Sequence, residues 1–418
     1  MDFRRLTPIL LVIFTNILGA GVIIPILPLY AEGAFAGTVF QVTLLASAYF
    51  AAQFISAPWL GRLSDKYGRR PILLISQVGT VIAFALFILS AQLGQWIDSW
   101  QLGLPLTGGM LMLFIARTLD GFTAGNITIA QAYISDMTPE QERARGLGLL
   151  QAAFGAGFIF GPAFGGFLSG FGAVAPFWGA AIITVLTLLL TWFTLEETLT
   201  ADERADSLAG NPLGRIEWRQ ILRTPALMLI LAIGFIASMA FSSLPSTFSL
   251  YADHILFAGY PDRARVQLLI GLMFTFNGLM QVFTQLVLIR PLVTRFGERR
   301  LLLLGQFTLA MTFFGLAAVA GPLLATALFA PLAFGYGISE PSIQALATRF
   351  GVRQNRGRLL GLYQAARSLA LILGPIVAGY VYQNIAPQAV FNFAGAFMLL
   401  ALSAALVLQR MRIEPIAG

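Results

Sequence analysis

The chain has 418 residues, 57% hydrophobic and 11% charged, with a formal net charge of +7. A soluble domain carries roughly 25% charged residues, so a soluble globule is excluded: too little polar surface would remain to meet water. Nucleic-acid binding is excluded as well, because the basic residues sit in short loops between apolar runs and form no basic domain. Cysteine is absent and His254 is the one histidine, so no disulfide frame, thiolate chemistry, metal centre or cofactor is expected.

A bilayer helix needs about 20 mainly apolar residues. In chain order such runs cover 6–31, 40–63, 71–93, 108–135, 144–169, 174–195, 225–250, 266–289, 300–320, 322–348, 357–382 and 388–409. The opening MDFRRLTPIL has no small-residue cleavage site and is read as the start of the first span, not a removed leader. The expected fold is therefore an all-α integral membrane protein with twelve spans. With the N-terminus in the cytoplasm, only Arg263 and Arg265 fall in outside loops, and Arg117 and Arg367 fall inside spans; the rest of the 26 Lys and Arg lie on the cytoplasmic side. The positive-inside rule then places both termini in the cytoplasm. His254, beside Asp253, falls at the outer rim as a solvated loop residue, where it could sense external pH.

The longest polar stretch, 196–224, reads as a solvated linker between an N-terminal half, 1–195, and a C-terminal half, 225–418. The halves repeat. RGLGLLQAAFGAGFIFGPAFGG (145–166) aligns without a gap on RLLGLYQAARSLALILGPIVAG (358–379), which pairs Gln151 with Gln364 and Pro162 with Pro375. At the same spacing Gln131 pairs with Gln344. DKYGRRPILL (65–74) aligns more loosely with TRFGERRLLL (294–303). Two related six-helix halves are the pattern of transporters whose substrate site lies between repeats near the midplane.

Four charges fall inside spans: Arg117 and Asp120 on the fourth, Glu340 on the tenth and Arg367 on the eleventh. Each costs at least ~2.5–3.5 kcal/mol on insertion scales. Arg117 and Asp120 are three residues apart and share a helix face. Glu340 and Arg367 lie at depths where they can meet. A buried carboxylate can hold a proton, whereas Arg stays charged and cannot carry one. All four are candidates for proton coupling; a structural ion pair, or an anion site at Arg367, are the competing roles. Polar candidates for a substrate cavity are Asn16, Gln53, Asn126, Gln131, Gln151, Asn277, Gln281, Gln344, Tyr363 and Gln364, although such residues also bond neighbouring helices in lipid.

Several stretches carry a family resemblance. GRLSDKYGRRP (61–71) matches nearly in full the signature loop of the major facilitator superfamily, with Gly61, Asp65, Arg69 and Arg70 at its fixed positions. RTLDGFTAG (117–125) resembles the family's second motif. FGAGFIFGPAFGG (154–166) resembles the stretch associated with antiporters, where Gly157, Gly161, Gly165 and Gly166 bare one helix face and Pro162 can bend it. NILGAGVIIPILP (16–28) fits the same branch, the tetracycline and multidrug drug:proton antiporters. The resemblance implies the major facilitator fold, alternating access, a monomer in the inner membrane, and gating roles for the loop and glycine residues just named. Asp65 would latch one conformation. The C-terminal copy of the loop departs from the pattern, with Arg290 for the leading Gly and Thr294 for Asp. Asn16 stands where tetracycline antiporters carry an acidic residue, and the ninth run has none either, which argues against tetracycline as the specific substrate.

The function expected is proton-coupled efflux of amphipathic or hydrophobic compounds, with protons, a small-molecule substrate and membrane lipids as partners. The alternative is transport of an anionic metabolite, to which Arg117 and Arg367 would be suited, or of a lipid, which Gly-rich helix seams would admit from the side. A membrane enzyme finds no support in the sequence, which has no nucleotide-binding glycine loop and no Ser-His-Asp set.

Overall fold

A computed structural model describes residues 3–101, 103, 105–139, 142–199, 224–350 and 356–411. Most of the expected linker, 200–223, lies outside them. Among the described residues the chain is helical with no strand. The first part comprises α1 (Phe3–Phe35), α2 (Val39–Tyr67), α3 (Arg69–Ile88), α4 (Ser90–Asp98), α5 (Gly108–Thr123), α6 (Asn126–Met137), α7 (Arg143–Leu168) and α8 (Ala175–Thr194). The second comprises α9 (Pro225–Tyr251), α10 (Arg263–Phe283), α11 (Ile289–Ala318), α12 (Pro322–Thr348), α13 (Arg356–Asn384) and α14 (Ala389–Arg410).

Local sequence sets the ends. Thr38 accepts from the backbone of Gln41 while the Gln41 side chain accepts from the Thr38 backbone, a reciprocal cap that starts α2. Thr107 caps α5 in the same position. Proline opens α9 and α12, where its missing N–H has no helical partner to lose. Gly68, at φ 105, turns the chain between α2 and α3, and Gly297, at φ 73, breaks α11; only glycine enters this left-handed region freely.

Among the described residues ten helices are long and apolar enough to cross a membrane. The two differences from the twelve expected runs are one merger and one division. The eighth and ninth runs merge into one stretch, Arg263–Ala318, interrupted at Gly297. The fourth, expected as one helix, is divided into α5 and α6 at Ala124 and Gly125, so neither piece qualifies alone.

The chain forms two compact units. One holds Met1–Asn211 with Tyr260–Thr275; the other holds Pro212–Gly259 with Phe276–Gly418. A short piece of the C-terminal sequence thus packs within the first unit, a feature that the halves drawn from sequence do not contain.

In the first unit α1 packs on α7 and α8, α2 on α5, and α3 on α5 and α8. Lipid offers helices no hydrophobic drive to associate, so close packing has to supply it. The glycines of α7 do so. A methyl on Gly157, Gly161 or Gly165 would stand 2.7, 2.7 and 2.6 Å from the carbonyl oxygens of Phe14, Leu18 and Val22. Both rows step by four residues, one turn at a time. Gly166 meets the backbone of Gln267 and Leu268 in the same way, and Thr275 Oγ1 donates to Ile159 O at 2.8 Å. In the second unit α9 packs on α13 and α14, and α11 on α12 and α14, around a core that includes Leu227, Ile230, Leu302, Ile343 and Leu408.

Candidate charge sites within the spans

Each unit holds one constellation of charge inside its spans. In the first, Arg117 Nη1 lies 3.0 Å from Asp120 Oδ2, with side chains only 14% and 11% exposed. The Arg117 guanidinium rests over the Tyr49 ring, 4.5 Å from its centroid. Gly121 allows this approach, since a methyl there would strike the Tyr49 backbone. One turn further along, at Ala124 and Gly125, the span breaks, and a break frees carbonyls that lipid cannot satisfy. Thr123 O accepts from Ser76 Oγ on α3, and Ala124 O accepts from Gln53 Nε2 on α2 at 3.3 Å. Gln53, a cavity candidate by sequence, thus has its amide on the break.

In the second unit, α12 and α13 bring Glu340 and Arg367 together, Oε1 to Nε at 3.5 Å. Two neutral donors hold the carboxylate more closely. Tyr363 Oη donates to Oε2 at 2.7 Å and Gln344 Nε2 to Oε1 at 2.9 Å. Arg367 donates through Nη2 to Tyr336 Oη at 3.2 Å, while its Nε is buried without a hydrogen-bond acceptor. Tyr336 is itself stacked on Phe241, centroids 3.8 Å apart. Tyr336, Glu340 and Gln344 recur every fourth residue, so one stripe of α12 carries them.

A third network lies at the loop 61–71. Arg69, given a gating role by the resemblance, is buried. It binds Asp65 at 2.5 Å, Asp136 at 3.0 Å and Ser64 Oγ at 2.8 Å. Glu197 accepts from the backbone N–H of Arg69 at 2.9 Å and of Arg70 at 3.2 Å, placing a carboxylate on the N-terminus of α3. Arg70 donates to Trp192 O at 2.6 Å. The loop charges are thus met by the fourth span and by the flank of α8.

The remaining candidates are dispersed. Asn126 is buried on α6, and Asn277 on α10 with its Oδ1 unpartnered. Asn16 and Gln281 are half-buried, while Gln131, Gln151 and Gln364 are exposed. His254 is exposed on a π-helical turn, its Nδ1 2.9 Å from Tyr382 Oη. The sequence reading missed Tyr49, Tyr336, Asp136 and Glu197. For Tyr336 the four-residue step to Glu340 was an available signal. For Asp136 and Glu197 there was none, since their partner lies far along the chain.

The model of the Major Facilitator Superfamily matches residues 9–264 and 266–416. The chain belongs to that superfamily. Among curated relatives it is 31% identical over 369 residues to a class C tetracycline resistance protein of Escherichia coli, covering 87% of this chain and 86% of the relative. It is 27% identical over 404 residues to multidrug resistance protein 2 of Bacillus subtilis, covering 94% and 92%. Among solved structures, the nucleoside transporter NupG superposes with a TM-score of 0.72 at 16% identity, covering 99% of this chain and 100% of that one. The human organic anion transporter MFSD10 superposes with a TM-score of 0.66 at 21% identity, covering 96% and 99%. At such identity these structures share the fold.

Proposed function

We propose that this multi-pass membrane protein is a secondary active transporter, not an enzyme, which exports amphipathic or hydrophobic compounds in exchange for protons by alternating access. The observation that carries this reading is the relatedness, over about nine-tenths of the chain, to proteins named for tetracycline and multidrug resistance. The two carboxylate–arginine pairs inside the spans supply chemistry to match. A carboxylate that exchanges its guanidinium partner for a proton changes the charge of the site, and so couples proton movement to conformation. Asp120 and Glu340 are the proposed carriers, with Arg117 and Arg367 as their counter-charges. The halves 1–195 and 225–418 are the proposed moving bodies, with 196–224 as linker. The working form is a monomer in the inner membrane with both termini cytoplasmic, and lipids surround it.

The test is proton movement in proteoliposomes on addition of cationic, neutral or anionic compounds, for wild type, Asp120→Asn and Glu340→Gln. Proton flux evoked by amphipathic drugs and lost in either variant supports the reading. Transport of an anion, unaffected by both variants, would replace it with the second reading.

A further inference from the structure

The two units treat their basic residues differently where the spans end on the side of the basic loops. In the first unit, Asp65, Asp136 and Glu197 meet Arg69 and the start of α3. In the second, the repeat of that loop has Thr294 at the place of Asp65 and Glu298 at the place of Arg69. Glu298 is committed to Arg349, at 2.5 Å. The flank of α8 supplies Glu197, and α14 carries Arg410 in its last turn. Arg300 and Arg410 are exposed, and among the described residues neither has an acidic partner.

Arg299 fixes where these two charges sit. Its Nη1 donates to Gln409 O at 3.1 Å and its Nη2 to Met411 O at 3.0 Å, so it grips the carbonyls on both sides of Arg410. The next residue on α11 is Arg300. Arg300 and Arg410 therefore lie at the same end of two helices that pack on each other. From each, an apolar exposed stripe runs into the membrane. On α11 it is Leu304, Phe307 and Met311, at steps of four, three and four from Arg300. On α14 it is Val407, Leu406 and Leu400, with Val407 55% exposed. An apolar surface that ends in exposed cations is complementary to one kind of molecule, an acyl chain with a negatively charged head.

We infer that the α11–α14 surface, headed by Arg300 and Arg410, binds an anionic phospholipid in the leaflet on the basic-loop side. The cytoplasmic name of that leaflet rests on the proposed orientation; the binding does not. Two phosphate-facing guanidinium groups give the headgroup its contacts, and the stripes take its chains. A zwitterionic lipid brings a compensating cation and gains less.

The test is native mass spectrometry of the full chain purified in detergent, with phosphatidylglycerol and phosphatidylcholine offered at equal concentration. Wild type should retain phosphatidylglycerol in preference. Arg300→Gln/Arg410→Gln should lower that retention by roughly tenfold or more, and Arg300→Lys/Arg410→Lys should keep much of it. Arg62→Gln, an exposed base on the same side of the first unit, should leave it unchanged. Thermal midpoints of all four proteins, measured in parallel, identify any variant that fails to fold; the Lys pair and Arg62→Gln then carry the comparison. Equal retention of the two lipids, or undiminished phosphatidylglycerol in a folded Gln pair, would overturn the inference. So would equal occupancy by glycerol phosphate, which has the charge and no chains. Drug-evoked proton flux plays no part in these readouts, so their failure leaves the transport reading standing.

Discussion

Glu340 and Asp120 are both carboxylates inside spans, yet their surroundings differ. Glu340 is gripped by Tyr363, Gln344 and Arg367, whereas among the described residues the Asp120 carboxylate is bonded to Arg117 alone. Removing the Tyr363 hydroxyl deletes a short bond to a charged group, an interaction of about 1.5–3 kcal/mol. Tyr363→Phe keeps the ring that packs beneath Gly234. The expected outcome is a folded protein whose proton-coupled transport falls by roughly tenfold or more, read as initial rates in vesicles; unchanged rates would make the hydroxyl a bystander. The charges were legible in the sequence because ionised groups in an apolar run stand out. Their aromatic partners were not, since Tyr49 and Tyr336 in a membrane helix look like any other apolar filling.

At the scale of elements, glycine decides which helices touch. Gly161 brings α7 onto the backbone of Leu18 and Gly21 in α1. Gly161→Val should force the helices apart and destabilise the protein by about 1–3 kcal/mol, whereas at Gly148, where a methyl meets nothing within 4 Å, Gly148→Ala should be neutral. Thermal denaturation in detergent distinguishes the two; equal midpoints would show that the seam is loose. At the start of α3, Gly68→Ala should lower the midpoint as well, because a methyl would strike the Glu197 carboxylate and the φ of 105 is strained for alanine. The small-residue run was visible in the sequence as a bare face, but its partner was not, because spacing says which residues share a face and not what they meet. The break in the fourth span was equally hidden. Gly125 alone does not stop a helix, and the caps from Ser76 and Gln53 come from elsewhere in the chain.

For the whole molecule, Asp65→Asn tests whether the loop between α2 and α3 latches a conformation. Arg69 keeps Asp136 and Ser64 in that variant, so folding should survive. Transport should fall if the latch reading holds; intact transport would end it. The repeat of 145–166 in 358–379 is visible in the sequence because duplicated packing leaves duplicated glycines and prolines. The membership of Tyr260–Thr275 in the first unit is not, since it follows from contacts with α7 that no periodicity announces. That membership bears on how the protein is made. A ribosome that has delivered all of α1 to α8 has not yet delivered all of the first unit. Gly166 and Ile159 gain their partners only after the chain has grown past Thr275. During that interval the nascent N-terminal half is an unfinished body in the bilayer, and its last seam is closed by a segment synthesised after the linker. A chain stopped at 224 should accordingly be degraded faster than the same fragment co-expressed with 225–418, in a pulse-chase experiment.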